Sequence, residues 1–259
     1  MKVVIARTYQ SYESELKEII AHYDNTGELI YGGTRNSLKK FNFGDKDLIV
    51  KAFKKPNLVN KIVYRFFRKS KAARSFLYAQ KLESLNIGTP KAVAYFENYS
   101  FLFFKDSYYI SEFLDSEITY RELVTNPNYP DRERILKQFT AFTKNLHDNG
   151  VLFKDHSPGN TLIKKVGEDK YAFYLVDLNR MEFKDLSYRE KIANFARLTP
   201  DKEMVRIMAY TYAELCGYDK DNVFRLMWEE TEAFQNKFHK RRKVKRRIFF
   251  WKDKYKQAP

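Results

Sequence analysis

The stretch Leu146-His-Asp-Asn-Gly150-Val-Leu-Phe-Lys-Asp155-His-Ser-Pro-Gly-Asn160-Thr-Leu-Ile163, with Tyr174-Leu-Val-Asp177-Leu-Asn-Arg180 soon after it, decides the fold. Asp155 and Asn160 fall on a loop that contains Pro158 and Gly159 and follows an apolar run. Asp177 ends a second apolar run, Phe173-Tyr-Leu-Val176. Three oxygen-bearing side chains are therefore expected to converge at strand ends. Such a donor set suits nucleotide-bound Mg²⁺, a hard cation that takes one or two carboxylates plus phosphate oxygens and keeps waters elsewhere.

In the general kinase scheme the loop Asp accepts the acceptor hydroxyl's proton, the loop Asn and a second Asp hold metal, and an upstream strand lysine neutralises phosphate charge. Asp155, Asn160 and Asp177 fill the first three places. The competing reading is a plain solvent turn, since Asp, Ser, Pro, Gly and Asn are all ordinary turn residues. The helix pattern before the loop and the strand-Asp after it, in that order, favour the catalytic reading.

Outward from this loop, 259 residues with 44% hydrophobic content can bury one large core or two smaller ones. The hydrophobic content argues against disorder, and the few Gly and Pro against low-complexity classes. A formal net charge of +15 implies attraction to a polyanion, without choosing among nucleotide, nucleic acid, acidic lipid or phosphorylated glycan. The single cysteine, Cys216, excludes an internal disulfide and fits a reducing compartment. The opening Met-Lys-Val-Val-Ile-Ala-Arg has too short an apolar run for a signal peptide, and no stretch approaches the ~20 apolar residues of a spanning helix. The expected location is cytoplasmic.

Upstream, residues 1–25 form an N-terminal extension, with a short strand over Val3–Ala6 and a charged helix over Tyr12–Tyr23. Glu28–Phe41 is a β-hairpin leading into a third strand, Leu48–Phe53. Gly32 and Gly33 allow close backbone approach, so N–H groups there could cover ATP phosphates, although Gly-Gly also makes ordinary hairpins. Lys51, after Leu-Ile-Val, stands where a kinase keeps its phosphate-pairing lysine; alone it would be a solvated edge residue. A basic helix follows over Leu58–Leu82. Active kinases carry a glutamate there that pins the strand lysine. The expected position falls near Ser75 or Leu77 and holds no acid, so either another carboxylate partners Lys51 or the pair is absent.

Strand signals at Lys91–Phe96, Phe101–Phe104 and Tyr108–Leu114 come next. The last resembles the hinge of a kinase, where backbone groups of Glu112 and Leu114 would bond adenine; a buried strand predicts the same letters. Ile135, Phe139, Phe142 and Leu146 repeat at helical spacing and deliver the loop at Gly150. His147 reads as a packing or capping residue, and His156 as one that could touch substrate. Leu162–Val176 is a hairpin turning at Gly167-Glu-Asp169, which would return Asp177 beside Asn160. Helical patterns from Lys202 to Gly217 and from Asn222 onward complete an α-rich part. The predicted class is thus α+β, a protein-kinase-like bilobal fold with a β-rich N-lobe over 26–112 and an α-rich C-lobe over 113–259. Its tail, 238–259, mixes Lys and Arg with Ile248, Phe249, Phe250 and Trp251, and suits an anionic membrane surface, a solvated helix end or, less well, nucleic acid.

These residues carry a resemblance. The helix end Leu-His-Asp-Asn-Gly-Val, the Asp155 to Asn160 loop, Val176-Asp177-Leu-Asn-Arg180 and Asn194-Phe-Ala-Arg-Leu198 are similar to the lipopolysaccharide kinases, the Kdo kinase and core heptose kinase group. The resemblance implies ATP- and Mg²⁺-dependent phosphorylation of a sugar hydroxyl on the lipid A inner core, at the cytoplasmic face of the inner membrane. Its partners would be an anionic glycolipid and an anionic membrane, with Asp155 and Lys51 catalytic, Asn160 and Asp177 on metal, and Gly32, Gly33, Lys51, Glu112 and Leu114 on nucleotide. Two departures from protein kinases stand out: Phe153-Lys154 replaces His-Arg, and Leu178-Asn179 replaces Phe-Gly. Readings of a different class are a non-catalytic nucleotide-binding module on membrane or RNA, and a kinase of a soluble small molecule.

Overall fold

The computed structural model describes residues 1–33, 36–53, 68–100 and 103–248, with backbone only for 245–248. In chain order its strands are β1 (Lys2–Ile5), β2 (Glu28–Gly32), β3 (Asn36–Phe43), β4 (Lys46–Phe53), β5 (Ala92–Tyr99), β6 (Phe104–Glu112), β7 (Ile118–Thr119), β8 (Val151–Phe153), β9 (Thr161–Gly167), β10 (Lys170–Leu175) and β11 (Met181–Phe183). Its helices are α1 (Glu13–Ala21), α2 (Lys71–Ser84), α3 (Tyr120–Thr125), α4 (Arg132–Asp148), α5 (Tyr188–Ala193), α6 (Lys202–Cys216) and α7 (Lys220–Ile248). The chain divides into two compact units, 1–118 with 160–181, and 119–159 with 182–259.

The first unit is built on a six-stranded antiparallel sheet in the order β1-β5-β6-β4-β3-β2. Period-two alternation sends Leu48 and Val50 of β4 into the core with Val93, Phe96 and Ile110, all fully buried, and leaves Lys51 on the other face. The expected strand signals at Phe101–Phe104 and Tyr108–Leu114 become one strand from Phe104, and Phe101 lies outside the described residues. The first ten residues of the predicted helix over Leu58–Leu82, 58–67, likewise lie outside those described. Its C-terminal half is α2, which packs on β5 and β6 through Ala72, Phe76, Ala79 and Leu82. Ser70 starts that helix by accepting the Ala73 N–H at 3.0 Å.

The N-terminal residues are part of this unit. β1 extends the sheet beside β5, and α1 buries Leu16 and Ile20. Beyond the end of α1 the Lys39 ammonium donates to the carbonyls of Tyr23, Asp24 and Thr26 at 2.6, 3.1 and 2.9 Å, where acceptor groups left by the ended helix collect. The β9-β10 hairpin, turning at Gly167 as its sequence predicts, also belongs here. It docks through Gly88, whose carbonyl accepts the Leu175 N–H at 2.9 Å, and through Thr89, whose hydroxyl donates to the Leu175 carbonyl at 2.8 Å.

The second unit is helical. α4 buries Ile135, Leu136, Phe139, Thr143, Leu146 and His147, the three-and-four spacing of a core-facing helix, and packs on α6. Gly150, at φ +67°, ends the helix in the left-handed region and approaches Lys184 so closely that a Cβ would lie 2.8 Å from its carbonyl oxygen. Asp201 starts α6 by accepting the Glu203 and Met204 N–H groups, and its second oxygen takes Arg132 Nη2 at 2.9 Å. Among the described residues, no helix is long and apolar enough to cross a membrane.

Candidate active site

In the first unit, Lys51 Nζ donates to Asp177 Oδ1 at 2.5 Å, with the lysine side chain only 13% exposed. The carboxylate that partners Lys51 is therefore the strand-end aspartate. α2 carries Glu83 alone, exposed in its last turn, while Ser75 is buried. Asp177 itself sits at φ +58°, a conformation that a short polar side chain adopts at less strain than most. Asn179, 7% exposed, donates its amide to the same Oδ1 at 2.7 Å. Both donors use one oxygen, so Asp177 Oδ2 accepts no hydrogen bond among the described residues.

Asn160 lies across the hairpin, its carbonyl accepting the Val176 N–H at 3.0 Å, so the residue before Asp177 is fixed against Asn160. Leu178, 2% exposed, fills the core, and Asn179 steers the aspartate. These two residues thus have structural work of their own where protein kinases keep Phe-Gly. Sequence reading missed Asn179 and the Gly88-Thr89 dock. The signal available for the first was an amide two residues after a candidate metal-binding carboxylate.

The nucleotide-facing candidates are more constrained than the sequence suggested. The Gly33 N–H donates to the Asn36 carbonyl at 3.1 Å and closes the β2-β3 hairpin, so that N–H is not open to phosphate. Gly32 is exposed at the end of β2. The Glu112 N–H is used by the Lys91 carbonyl at 2.9 Å, leaving only its carbonyl for an adenine. Its side chain accepts Tyr9 Oη at 2.5 Å and Lys46 Nζ at 3.2 Å. Partial burial works to raise the Glu112 pKa, but these two bonds outweigh it and hold the carboxyl below its ordinary value. Leu114 follows as a half-buried residue beyond the strand.

In the second unit, Asp155 stands on the turn after β8 with its side chain 14% exposed. Arg197 Nη1 donates to Asp155 Oδ1 at 2.8 Å. Lys154 pairs with Glu182. Beneath the loop runs a buried polar chain: Asn194 Nδ2 donates to the Phe153 carbonyl at 2.9 Å, and Asn194 Oδ1 meets His147 Nε2 at 3.2 Å. His147 Nδ1 in turn meets Tyr212 Oη at 2.9 Å. Because the amide nitrogen is committed to a carbonyl, Asn194 Oδ1 must accept, which assigns the His147 proton to Nε2 and makes Nδ1 the acceptor of the Tyr212 hydroxyl. Burial drives the His147 pKa down to about 4, so the ring is neutral and this arrangement holds at pH 7.

His156 corrects the sequence expectation. It is fully buried, its ring centroid 5.3 Å from Phe139, 5.8 Å from Phe153 and 6.4 Å from Phe195, and cannot reach a substrate. Burial, then the neighbouring His147, push its pKa down to about 3.

Asp177 Oδ2 and the Asn160 amide oxygen are hard oxygen groups of the kind that would fit a cation completing its shell with phosphate and water. Among the described residues no cluster of three or more His, Cys, Asp or Glu could hold a metal by side chains alone.

A search of curated protein sequences finds no match. Among solved structures, the chain is similar to one described as WaaP in complex with acyl carrier protein, at 16% identity and a TM-score of 0.61, over 90% of this chain and 99% of that one. At that identity the likeness concerns the fold, which is α+β and protein-kinase-like. The model of the lipopolysaccharide kinase (Kdo/WaaP) family matches residues 31–218, most of the chain, and the protein belongs to that family.

Proposed function

We propose that the protein is an ATP- and Mg²⁺-dependent kinase of a Kdo or heptose hydroxyl in the lipopolysaccharide inner core, acting at the cytoplasmic face of the inner membrane. The observation that carries the reading is the Lys51–Asp177 pair, with one aspartate oxygen held by two donors and the other open. Family membership supports the substrate class.

In this reading Asp155 accepts the proton of the sugar hydroxyl as its oxygen bonds to the γ-phosphorus. The bond from that phosphorus to the β–γ bridging oxygen breaks, and ADP leaves with the electron pair. Lys51 exchanges its contact with Asp177 for phosphate oxygens and offsets their charge. Asp177 and Asn160 would hold Mg²⁺, which supplies charge neutralisation at the phosphates. Gly32 permits close backbone approach, and the carbonyl of Glu112 with the backbone of Leu114 would receive the adenine.

A membrane-held anionic acceptor is further supported by the described end of α7, where Phe238 and Val244 are exposed among Lys240, Arg241, Arg242 and Lys243. Phe249, Phe250 and Trp251 lie outside the described residues. The structural relative's complex makes an acyl carrier protein a second partner to assay by co-purification.

The test incubates the protein with Mg²⁺, γ-labelled ATP and a Kdo-bearing lipid A precursor beside Asp155→Asn. Label should enter the lipid, vanish in Asp155→Asn, and leave Mg·ATP-dependent thermal stabilisation intact in that variant. Near-normal transfer by Asp155→Asn would refute the role of Asp155. Stabilisation by Mg·ATP without transfer to lipid or soluble sugar would identify a nucleotide-binding module in place of an enzyme.

A further inference from the structure

We propose that Arg197 is a positioning residue for the phosphotransfer step, holding the Asp155 carboxylate to the backbone of its own loop, with Phe234 of α7 as its support. This rests on the reading of Asp155 as the group that receives the acceptor proton.

A single nitrogen, Arg197 Nη1, donates both to Asp155 Oδ1 at 2.8 Å and to the Lys154 carbonyl at 2.7 Å. The carboxylate and the preceding peptide are thereby tied to one planar, permanently charged group. The guanidinium carbon in turn lies 5.5 Å from the centroid of the Phe234 ring, within cation–π range. The arginine side chain is 34% exposed, so it is held from two sides and not merely buried.

Its neighbours bind the same loop. Asn194 caps the Phe153 carbonyl, and Phe195 packs within 5.9 Å of His147 and 6.4 Å of His156. Asn194-Phe195-Ala196-Arg197 therefore acts as one clamp on residues 153–156, and Arg197 is the member that touches the reacting side chain. A carboxylate on a turn has free χ1 and χ2 rotation unless something fixes it, and a proton acceptor displaced by about 1 Å can cost on the order of 100-fold in rate.

The test compares wild type, Arg197→Ala, Arg197→Lys and Phe234→Leu, with steady-state kinetics for transfer to the lipid A precursor and for ATP hydrolysis to water. Arg197→Ala should lower kcat on the order of 100-fold with KM for ATP and melting temperature close to wild type. Arg197→Lys should recover part of the loss, because one ammonium can replace the single nitrogen that makes both bonds. Phe234→Leu keeps apolar volume without the ring face and should lower kcat roughly 2- to 5-fold. Free guanidinium added to Arg197→Ala, but not to Asp155→Asn, should restore turnover. A kcat for Arg197→Ala within about twofold of wild type, or a raised KM with unchanged kcat, would overturn the proposal. If Arg197→Ala does not fold, Arg197→Lys and Phe234→Leu at wild-type rates would overturn it equally. Wild-type hydrolysis without lipid transfer would refute the acceptor and leave the role of Arg197 to be read from hydrolysis; a wild type inert in both assays would overturn both.

Discussion

Lys51 and Asp177, 126 positions apart in sequence, meet at 2.5 Å on a face of the sheet opposite the buried Leu48 and Val50. The pair substitutes for the strand-lysine to helix-glutamate contact of protein kinases, since α2 carries no acid along its body. In the proposed reaction Asp177 takes the metal and Lys51 the phosphate, so the contact between them is a resting arrangement that nucleotide would compete away.

Replacing either member should therefore give different losses. Asp177→Asn keeps the shape and removes the charge, and should abolish Mg·ATP-dependent thermal stabilisation. Lys51→Met should keep some stabilisation but lower kcat on the order of 100-fold. Equal losses of nucleotide binding in both variants, measured by calorimetry with and without Mg²⁺, would count against separate metal and phosphate roles.

Asn179 orients Asp177 without being a candidate ligand. Asn179→Ala should weaken Mg²⁺-dependent ATP binding about 10- to 100-fold, as loss of a partner to a metal-binding group commonly does. Unchanged Mg²⁺ dependence in an ATP titration would show that the 2.7 Å bond does not matter.

Gly88 offers a steric test of the hairpin that carries Asp177. A Cβ at Gly88 would lie 2.1 Å from the Phe173 carbonyl oxygen, a backbone atom that cannot move aside without shifting β10. Gly88→Ala should cost about 1–3 kcal/mol of unfolding free energy and displace Asp177, with loss of nucleotide response. Gly167→Ala, whose nearest atom would be the Lys170 Cβ at 3.6 Å, should stay near wild type in the same urea titration. Equal stability of the two variants would contradict the close approach.

The sequence revealed this hairpin, the helix ending at Gly150 and the αβ order because periodicity and turn residues are local signals. Leu162–Val176 alternates and turns at Gly167, and Ile135, Phe139, Phe142 and Leu146 repeat as a helix does. What it concealed is long-range pairing. Nothing in the letters around Lys51 says that its acid lies just beyond the end of β10, and nothing around Gly88 says that Phe173 approaches it. The burial of His156 was hidden for the same reason. A histidine beside a candidate catalytic aspartate in sequence looks available to substrate, but its ring turns inward among Phe139, Phe153 and Phe195, which arrive from three separate segments. Arg197 stood in a segment already singled out for its likeness to a family, yet its bond to Asp155 emerges only once the helices fold the two together.

The two buried histidines give the last prediction, and they should behave differently. Both have pKa values depressed in the folded state, to about 4 for His147 and about 3 for His156, with burial as the main cause. The unfolded chain protonates near pH 6.5, so below that value it binds protons that the folded chain refuses. Stability is therefore complete above about pH 6.5 and is lost as pH falls towards the folded pKa values, by up to about 1.4 kcal/mol per pH unit for each ring. The chemistry at neutral pH separates them. Neither His156 nitrogen has a hydrogen-bond partner among the described residues, whereas His147 links Asn194 to Tyr212. His156→Phe should thus be neutral or stabilising at pH 7.5 and should flatten the acid slope. His147→Phe should flatten it too, but at a cost of about 1–3 kcal/mol at pH 7.5, because it leaves two buried polar groups without their partner. Urea unfolding of the three proteins at pH 7.5 and 5.5 measures both effects. An acid slope in His156→Phe as steep as in wild type would show that its ring is already protonated, or solvated, in the folded protein.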